Sequence, residues 1–195
     1  PKRIPCENIV ITNCTMVHGH GGVVIGSEMS GSVRNVVISN CIFEGTDRGI
    51  RIKSRRGRGG VVEDIRVTNI IMNRVICPIV LNLYYRCGAN GDAVVEDKNA
   101  RPVDEGTPVF RRIYLSNMTA RGVQAAAGYI HGLPEMKIKD ITLDNISISM
   151  ADNAKAAVPA MIRGLEPMKK QGFLADYVSN IRFYNVEITD QIGDE

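Results

Sequence analysis

One seven-residue segment recurs six times along this chain, and it constrains the possible fold more than any other feature. Each copy reads polar, polar, aliphatic, variable, apolar, variable, Asn, and the closing asparagines are Asn13, Asn40, Asn69, Asn117, Asn145 and Asn185. The apolar third and fifth places alternate with variable ones, which is the period of a half-buried strand and not of a helix. The sequence therefore predicts six equivalent strands, each ended by a bend at an asparagine, which tolerates the left-handed conformation.

The spacing of these asparagines predicts that the strands stack as coils. The intervals are 27, 29, 48, 28 and 40 residues. Three of them fit one coil of a β-solenoid, and the two longer ones fit a coil with an insertion, near 86–109 (a loop) and near 150–178 (a short helix or a hairpin). A sandwich of six strands is the alternative, but the shared asparagine argues against it. We expect an all-β fold, a right-handed parallel β-helix that forms a single domain over 1–195, with its core supplied by stacking.

Composition narrows the classes of partner and cofactor. Apolar residues make up 44% of the chain and charged residues 23%, as in folded globular proteins. No apolar run approaches 18 residues, so no membrane partner is expected. The five cysteines are odd in number and form no CxxC pair, so we interpret them as small buried residues, with Cys14 stacked on Cys41, and expect no disulfide framework. Their spacing supports no metal site, and no cofactor is expected.

A glycine-rich segment at residues 18–22 contains the first candidate functional side chain. His20 lies between Gly19 and Gly21, and glycines leave its imidazole little steric cover. Such a histidine is suited to contacting a ligand or to tuning a neighbouring carboxylate. A turn histidine on a glycine-rich bend is the alternative, and the residues themselves do not decide between the two.

A basic segment forms the second candidate. Residues 46–58 contain six cations and one anion, Asp47. On a strand, Arg51 and Lys53 project from one face while the isoleucines beside them project from the other. This field favours an anionic ligand, since Arg grips a carboxylate bidentately and Lys acts as a point charge. The three arginines that follow, Arg55, Arg56 and Arg58, are interpreted as a solvated basic turn.

Aromatic residues help to choose the ligand. Proteins that bind single-stranded nucleic acid usually interleave stacking aromatics with their cations, whereas Phe43 is the only Phe, Tyr or Trp between residues 18 and 58. Nucleic acid is therefore not an expected partner. Tyr84 and Tyr85 follow an aliphatic run, and because they are adjacent on a strand, at most one of them can join the face of Arg51 and Lys53.

With these residues, the chain resembles glycoside hydrolase family 28, the polygalacturonases and related pectin hydrolases. The resemblance rests on Gly19-His20-Gly21, Ile25-Gly26-Ser27 and Arg51-Ile52-Lys53 inside the Asn-ended repeat. It implies inverting hydrolysis of α-1,4-linked galacturonan, or a related pectic chain, as the reaction. It also implies that His20 lies beside the catalytic acids and that Arg51 and Lys53 bind uronate carboxylates. By the same resemblance Tyr85 contacts the substrate, and Glu28 is a weaker candidate for doing so.

The chain departs from that family in one respect. The family's Asn-Thr-Asp motif and Asp-Asp pair do not occur in this sequence. We therefore expect a C-terminal portion, truncated at the N-terminal side of the β-helix, inactive by itself and completed by the missing coils or by another chain. The resemblance implies a secreted or periplasmic parent, while the unpaired cysteines leave the cytoplasm open. A pectate lyase-like β-helix and a non-catalytic carbohydrate-binding β-solenoid are the alternatives.

Overall fold

The computed structural model describes residues 3–89 and 91–192, and nearly all of its regular structure is β-strand. The elements in chain order are β1 (Cys6–Thr12), β2 (Thr15–Val17), β3 (Val23–Ile25), β4 (Val33–Glu44), β5 (Arg48–Lys53), β6 (Val61–Asn73), β7 (Cys77–Asn82), α1 (Ala93–Glu96), β8 (Val109–Val123), β9 (Ala126–His131), β10 (Ile138–Met150), β11 (Gln171–Asp176) and β12 (Val178–Thr189). Among the described residues, no helix is long and apolar enough to span a membrane.

Two parallel sheets face each other across the core. The first has the order β1-β4-β6-β8-β10-β12, with β2 also beside β4, and the second has the order β11-β9-β7-β5-β3. Every neighbouring pair of these strands is parallel. Successive coils thus contribute one long strand to the first sheet and one short strand to the second. This is the predicted parallel β-helix.

Stacking of the coils buries the apolar residues. Ile50 and Ile52 of β5 lie in the core with Phe43 and Phe110, each at most 1% exposed. Strands of the first sheet alternate buried and accessible positions, whereas β7 and β9 are buried almost throughout. The outer faces of β5, β7 and β9 are covered as well, so these strands lack the alternation that marks the repeat.

The asparagine bends are confirmed. All six closing asparagines have positive φ, between 48° and 57°. Their side chains bond from coil to coil, for example from Asn69 to Asn40 at 3.2 Å and from Asn145 to Asn117 at 2.8 Å. The second residue of every repeat is also left-handed, which the sequence did not predict; these residues are Asn8, Asn35, Asp64, Arg112, Asp140 and Asn180. Each repeat therefore bends twice, before and after its aliphatic segment.

The interpretation of the cysteines as buried residues is wrong for three of the five. Cys41 and Cys77 are buried, while Cys6, Cys14 and Cys87 are exposed. Cys14 aligns with Cys41, because the neighbouring Thr15 pairs with Ile42. It lies in the first coil, however, where no further coil of the described chain covers it.

Two insertions interrupt the coils. The first insertion (residues 83–108) contains α1, a single turn of helix capped by the Asp92 side chain. The second insertion (residues 151–170) contains an antiparallel bridge between Ala157 and Met168. Residues 171–176, predicted to belong to the insertion, instead form β11 and pair in register with β9. The sequence Gln-Gly-Phe-Leu-Ala-Asp lacks the alternation that identified the other strands.

Candidate functional site

Arg51 and Lys53 project from the outer face of β5, opposite the buried isoleucines of the same strand. Arg51 is 4% exposed, and its Nη2 is buried without a hydrogen-bond partner in the described part of the chain. Neither side chain forms an ion pair with a described carboxylate. Burial lowers the pKa of both groups, and the pKa of Lys53 is lowered further by the charge of Arg51. The face thus presents two partly desolvated positive charges that form no ion pair, and Asp47 acts on Arg51 only at longer range.

The turn after β7 places Tyr85 against these cations. The buried Asn82 side chain accepts a hydrogen bond from the Tyr84 N–H at 2.7 Å, and the Tyr85 N–H donates to the carbonyl of Ser54 at 3.0 Å. Lys53 Nζ lies 4.2 Å from the centroid of the Tyr85 ring, and the guanidinium carbon of Arg51 lies 5.7 Å from it. Both distances are in the range of cation–π attraction. Of the two tyrosines, it is Tyr85 that joins Arg51 and Lys53.

His20 lies at the edge of the same face. Its glycine neighbour Gly19 has φ of +98°, a conformation that a side chain would strain. The His20 side chain is 88% exposed, and its Nδ1 lies 2.9 Å from Asp47 Oδ2. Because a carboxylate only accepts, Nδ1 is the donor in this contact. Arg51 donates to the His20 carbonyl at 3.3 Å, so His20, Asp47, Arg51, Lys53 and Tyr85 lie together.

Glu28 lies apart from this group. Its carboxylate forms an ion pair with Arg58, and its side chain is 71% exposed. Within residues 3–89 and 91–192, no hydrogen bond or ion pair joins Glu28 to Arg51 or Lys53.

The interpretation of Arg55, Arg56 and Arg58 as a solvated turn is wrong, most clearly for Arg56. Arg56 is 6% exposed. It bonds both oxygens of Glu135, at 2.6 and 2.9 Å, and donates to three carbonyls, those of Val94, Asp97 and Asn99. Arg55 donates to the Cys87 carbonyl at 2.7 Å, and Arg58 pairs with Glu28. The turn is covered because the first insertion folds over it.

Arg48 anchors the second insertion in a similar way. It is 8% exposed and donates to the carbonyls of Pro159 at 2.9 Å and Val158 at 2.5 Å. The two insertions are therefore anchored by arginines from β5 and from the turn after it.

A row of polar side chains continues beyond Lys53 and was missed in the sequence. Lys53 pairs with Asn82, Asn82 with His131, and His131 with Asp176. The repeat spacing contained the signal. The 29-residue interval leads from Lys53 to Asn82. The next interval, of 48 residues, leads from Asn82 to residue 130, one residue before His131. The difference arises because β8 contains one extra residue, Gly122, relative to β10.

Aromatic rings surround His131. Tyr129 stacks on it with centroids 5.9 Å apart, and Tyr84 and Tyr177 meet it edge-on at 5.0 and 6.1 Å. Neither ring nitrogen makes a hydrogen bond with the described residues. Burial and the nearby Lys98 lower the pKa of this imidazole.

Known proteins are similar to this chain in sequence and in fold. A probable polygalacturonase from Vitis vinifera is 30% identical over 153 residues, which are 78% of this chain and 29% of that protein. An endo-polygalacturonase from Pectobacterium carotovorum subsp. carotovorum is 41% identical over 83 residues, 43% of this chain and 20% of the relative. The crystal structure of a hyperthermoactive exopolygalacturonase from Thermotoga maritima superposes with a TM-score of 0.72 at 27% identity, covering 95% of this chain and 35% of that one.

These relatives are much longer than the chain, which spans less than a third of the Vitis vinifera protein. The sequence profile of the family described as "Glycosyl hydrolases family 28" matches residues 4–161. That match covers most of the chain and includes both the Gly-His-Gly segment and the Arg51-Ile52-Lys53 strand. The chain belongs to glycosyl hydrolases family 28.

Proposed function

We propose that this chain forms the carboxylate-binding part of the active site of a polygalacturonase-like pectin hydrolase. The observation that carries the proposal is the pair of partly buried cations, Arg51 and Lys53, with no described anionic partner and with the Tyr85 ring against them. Desolvated charges without partners cost free energy, so a site that keeps two of them is suited to a ligand that brings the anion. A uronate supplies a carboxylate for the cations and a sugar ring for the tyrosine.

In this proposal the side chains have separate roles. Arg51 and Lys53 hold the uronate carboxylate near the bond that is cleaved, and Tyr85 packs against the sugar. His20, oriented by Asp47, acts on the protonation of the catalytic acids from the edge of the site. Glu28 keeps only a peripheral role, because it is paired with Arg58 on the surface.

We further propose that the chain does not hydrolyse the polymer by itself. Inversion needs two carboxyl groups roughly 6.5–9.5 Å apart, one as acid and one as base. The carboxylates nearest to the site are already engaged, Asp47 with His20 and Arg48, and Glu28 with Arg58. The hydrolytic pair belongs, in this proposal, to the full-length parent protein.

The binding proposal is tested by titrating the folded chain with oligogalacturonate and with its fully methyl-esterified, neutral form. We expect binding of the anionic form alone and about tenfold weaker binding in Lys53→Gln, as for loss of one charged hydrogen bond. Lys139→Gln is the matched control, because Lys139 is exposed on β10 of the other sheet. Equal affinity for the charged and the neutral sugar would contradict the proposal.

Product analysis tests the reaction. We expect no release of reducing ends from polygalacturonate by this chain, and release at an ordinary rate would show that it contains its own acids. Unsaturated products absorbing in the near ultraviolet would instead indicate a lyase.

A further inference from the structure

A cavity of about 190 Å³ opens where the two insertions meet. It is lined by Tyr84, Arg86, Ala89, Val95, Glu96, Lys98, Ile162 and Arg163. An adjoining hollow shares Arg86, Glu96 and Arg163. The Arg86 N–H donates to the Met161 carbonyl at 3.0 Å, so a backbone hydrogen bond joins the two insertions beside the cavity.

The cavity has an excess of positive charge. Arg163 Nη1 donates to both oxygens of Glu96, at 2.6 and 2.7 Å, which neutralises the one acidic side chain in the lining. Lys98 and Arg86 form no ion pair with the described carboxylates. Burial lowers the pKa of Lys98, and the charge of Arg56 lowers it further. Two cations that form no ion pair therefore line the cavity, and both are exposed, unlike Arg51.

One wall of the cavity is aromatic. Tyr84 is 2% exposed, and Lys98 Nζ lies 3.8 Å from the centroid of its ring. The Tyr84 hydroxyl is buried without a hydrogen-bond partner in the described chain. Val95 and Ile162 complete the apolar part of the lining. An apolar surface with cations at its edge suits a sugar ring that bears a carboxylate.

The segment that carries Lys98 is held in place before any ligand binds. Arg56 donates to the carbonyls of Val94, Asp97 and Asn99 on either side of Lys98, while Glu135 fixes the guanidinium from the opposite side. A site ordered in advance avoids the entropy cost of ordering a loop on binding.

The position of the cavity relates it to the first site. Tyr84 lines the cavity and Tyr85 contacts Lys53, and the Cα atoms of consecutive residues are only about 3.8 Å apart. We propose that the cavity is a second uronate-binding subsite, in which Lys98 and Arg86 bind a carboxylate of the pectic chain held by Arg51 and Lys53. This inference rests on the proposed function and extends it to the insertions.

Oligogalacturonates of different lengths test for this second subsite. Lys98→Met keeps the aliphatic stem over Tyr84 and removes the charge. We expect it to weaken binding of a longer oligogalacturonate about tenfold, while binding of digalacturonate, which occupies the first site, changes little. Arg86→Gln is a second variant with the same expected pattern. Lys155→Met, at an exposed position of the second insertion, is the control, and circular dichroism checks that each variant is folded.

The outcomes separate this inference from the function on which it rests. If Lys98→Met and Arg86→Gln bind every length like the unmodified chain while Lys53→Gln binds weakly, the second subsite is wrong and the first site stands. An equal loss for both lengths would also overturn the inference, since it would indicate an anion site that does not follow the polymer. If Lys53→Gln loses no affinity, the proposed function fails, and the subsite fails with it.

Discussion

Two cations of β5, Arg51 and Lys53, differ in their partners from Arg56 in the turn that follows. Arg51 and Lys53 are partly buried with no described anionic partner, whereas Arg56, three residues on, makes five hydrogen bonds, two of them to the buried Glu135. The pKa values differ accordingly. Burial lowers the pKa of Arg51, while for Arg56 the effect of burial is outweighed by Glu135 and the pKa is raised. Removing a buried cation that has all its partners leaves those partners unpaired, whereas a buried cation without an ion pair is available to a ligand.

The largest loss of stability is expected from a substitution of Arg56, whose hydrogen-bond partners are complete. Arg56→Met leaves the Glu135 carboxylate, 4% exposed, without its counter-charge, and it frees three carbonyls of the first insertion. Breaking a buried pair in this way costs about 3–5 kcal/mol, to be measured as the free energy of unfolding in urea. Arg74→Met is the matched control, because the Arg74 side chain is 72% exposed in its pair with Glu44 and surface pairs contribute about 0–1 kcal/mol.

The companion variant Arg56→Met/Glu135→Leu removes both charges together. We expect it to recover much of the lost stability, since replacing both partners of a buried pair by apolar groups is often close to neutral. If the single variant loses no more stability than Arg74→Met, Arg56 belongs with the surface arginines and the contrast with Arg51 disappears.

For a substitution of Arg51 we expect an intermediate effect on the free energy of unfolding, with the opposite sign. Arg51→Met removes a desolvated charge that has no described counter-ion, so the free energy of unfolding should stay constant or rise by about 1 kcal/mol. The same variant should bind oligogalacturonate at least about tenfold more weakly. Urea unfolding and titration on the same preparation measure both quantities. A clear loss of stability would mean that Arg51 is a structural cation like Arg56.

The repeat could be predicted because its signal is local. An aliphatic alternation and an Asn at the bend are visible within seven residues, and the φ values of the six asparagines follow from that residue's tolerance of the left-handed region. The second bend was missed because its residues differ in type, including Arg112, which is held there by Asp64 and Glu63.

The candidate site was only partly visible because its remaining parts depend on pairing between coils. Strand β9 reads Ala-Ala-Gly-Tyr-Ile-His and is buried on both faces, so no alternation marks it. Arg56 looked solvated because its partners, Glu135 and the carbonyls of residues 94, 97 and 99, lie 38 to 79 residues away. The repeat spacing leads from Lys53 to Asn82, but the register of β7 and β9 is needed to add His131 to the row.

The smallest expected effect concerns His131, whose side chain is 14% exposed. Its neighbours are Tyr84, Tyr129 and Tyr177, Lys98 on the first insertion, and Asp176 of β11, whose Oδ2 lies 3.4 Å from Nδ1. The pKa of His131 is lowered below its ordinary value of 6.5, first by burial and then by Lys98.

Below pH 6.5 the unfolded chain therefore binds a proton that folded His131 does not, and the free energy of unfolding falls as the pH falls towards the lowered pKa. His131→Phe keeps the aromatic stacking and cannot titrate. We expect it to match or slightly exceed the unmodified chain in stability at pH 8, and to gain an advantage that grows on acidification below pH 6.5. Urea unfolding at a series of pH values measures this, and parallel profiles would show that His131 is protonated equally in the folded and unfolded states.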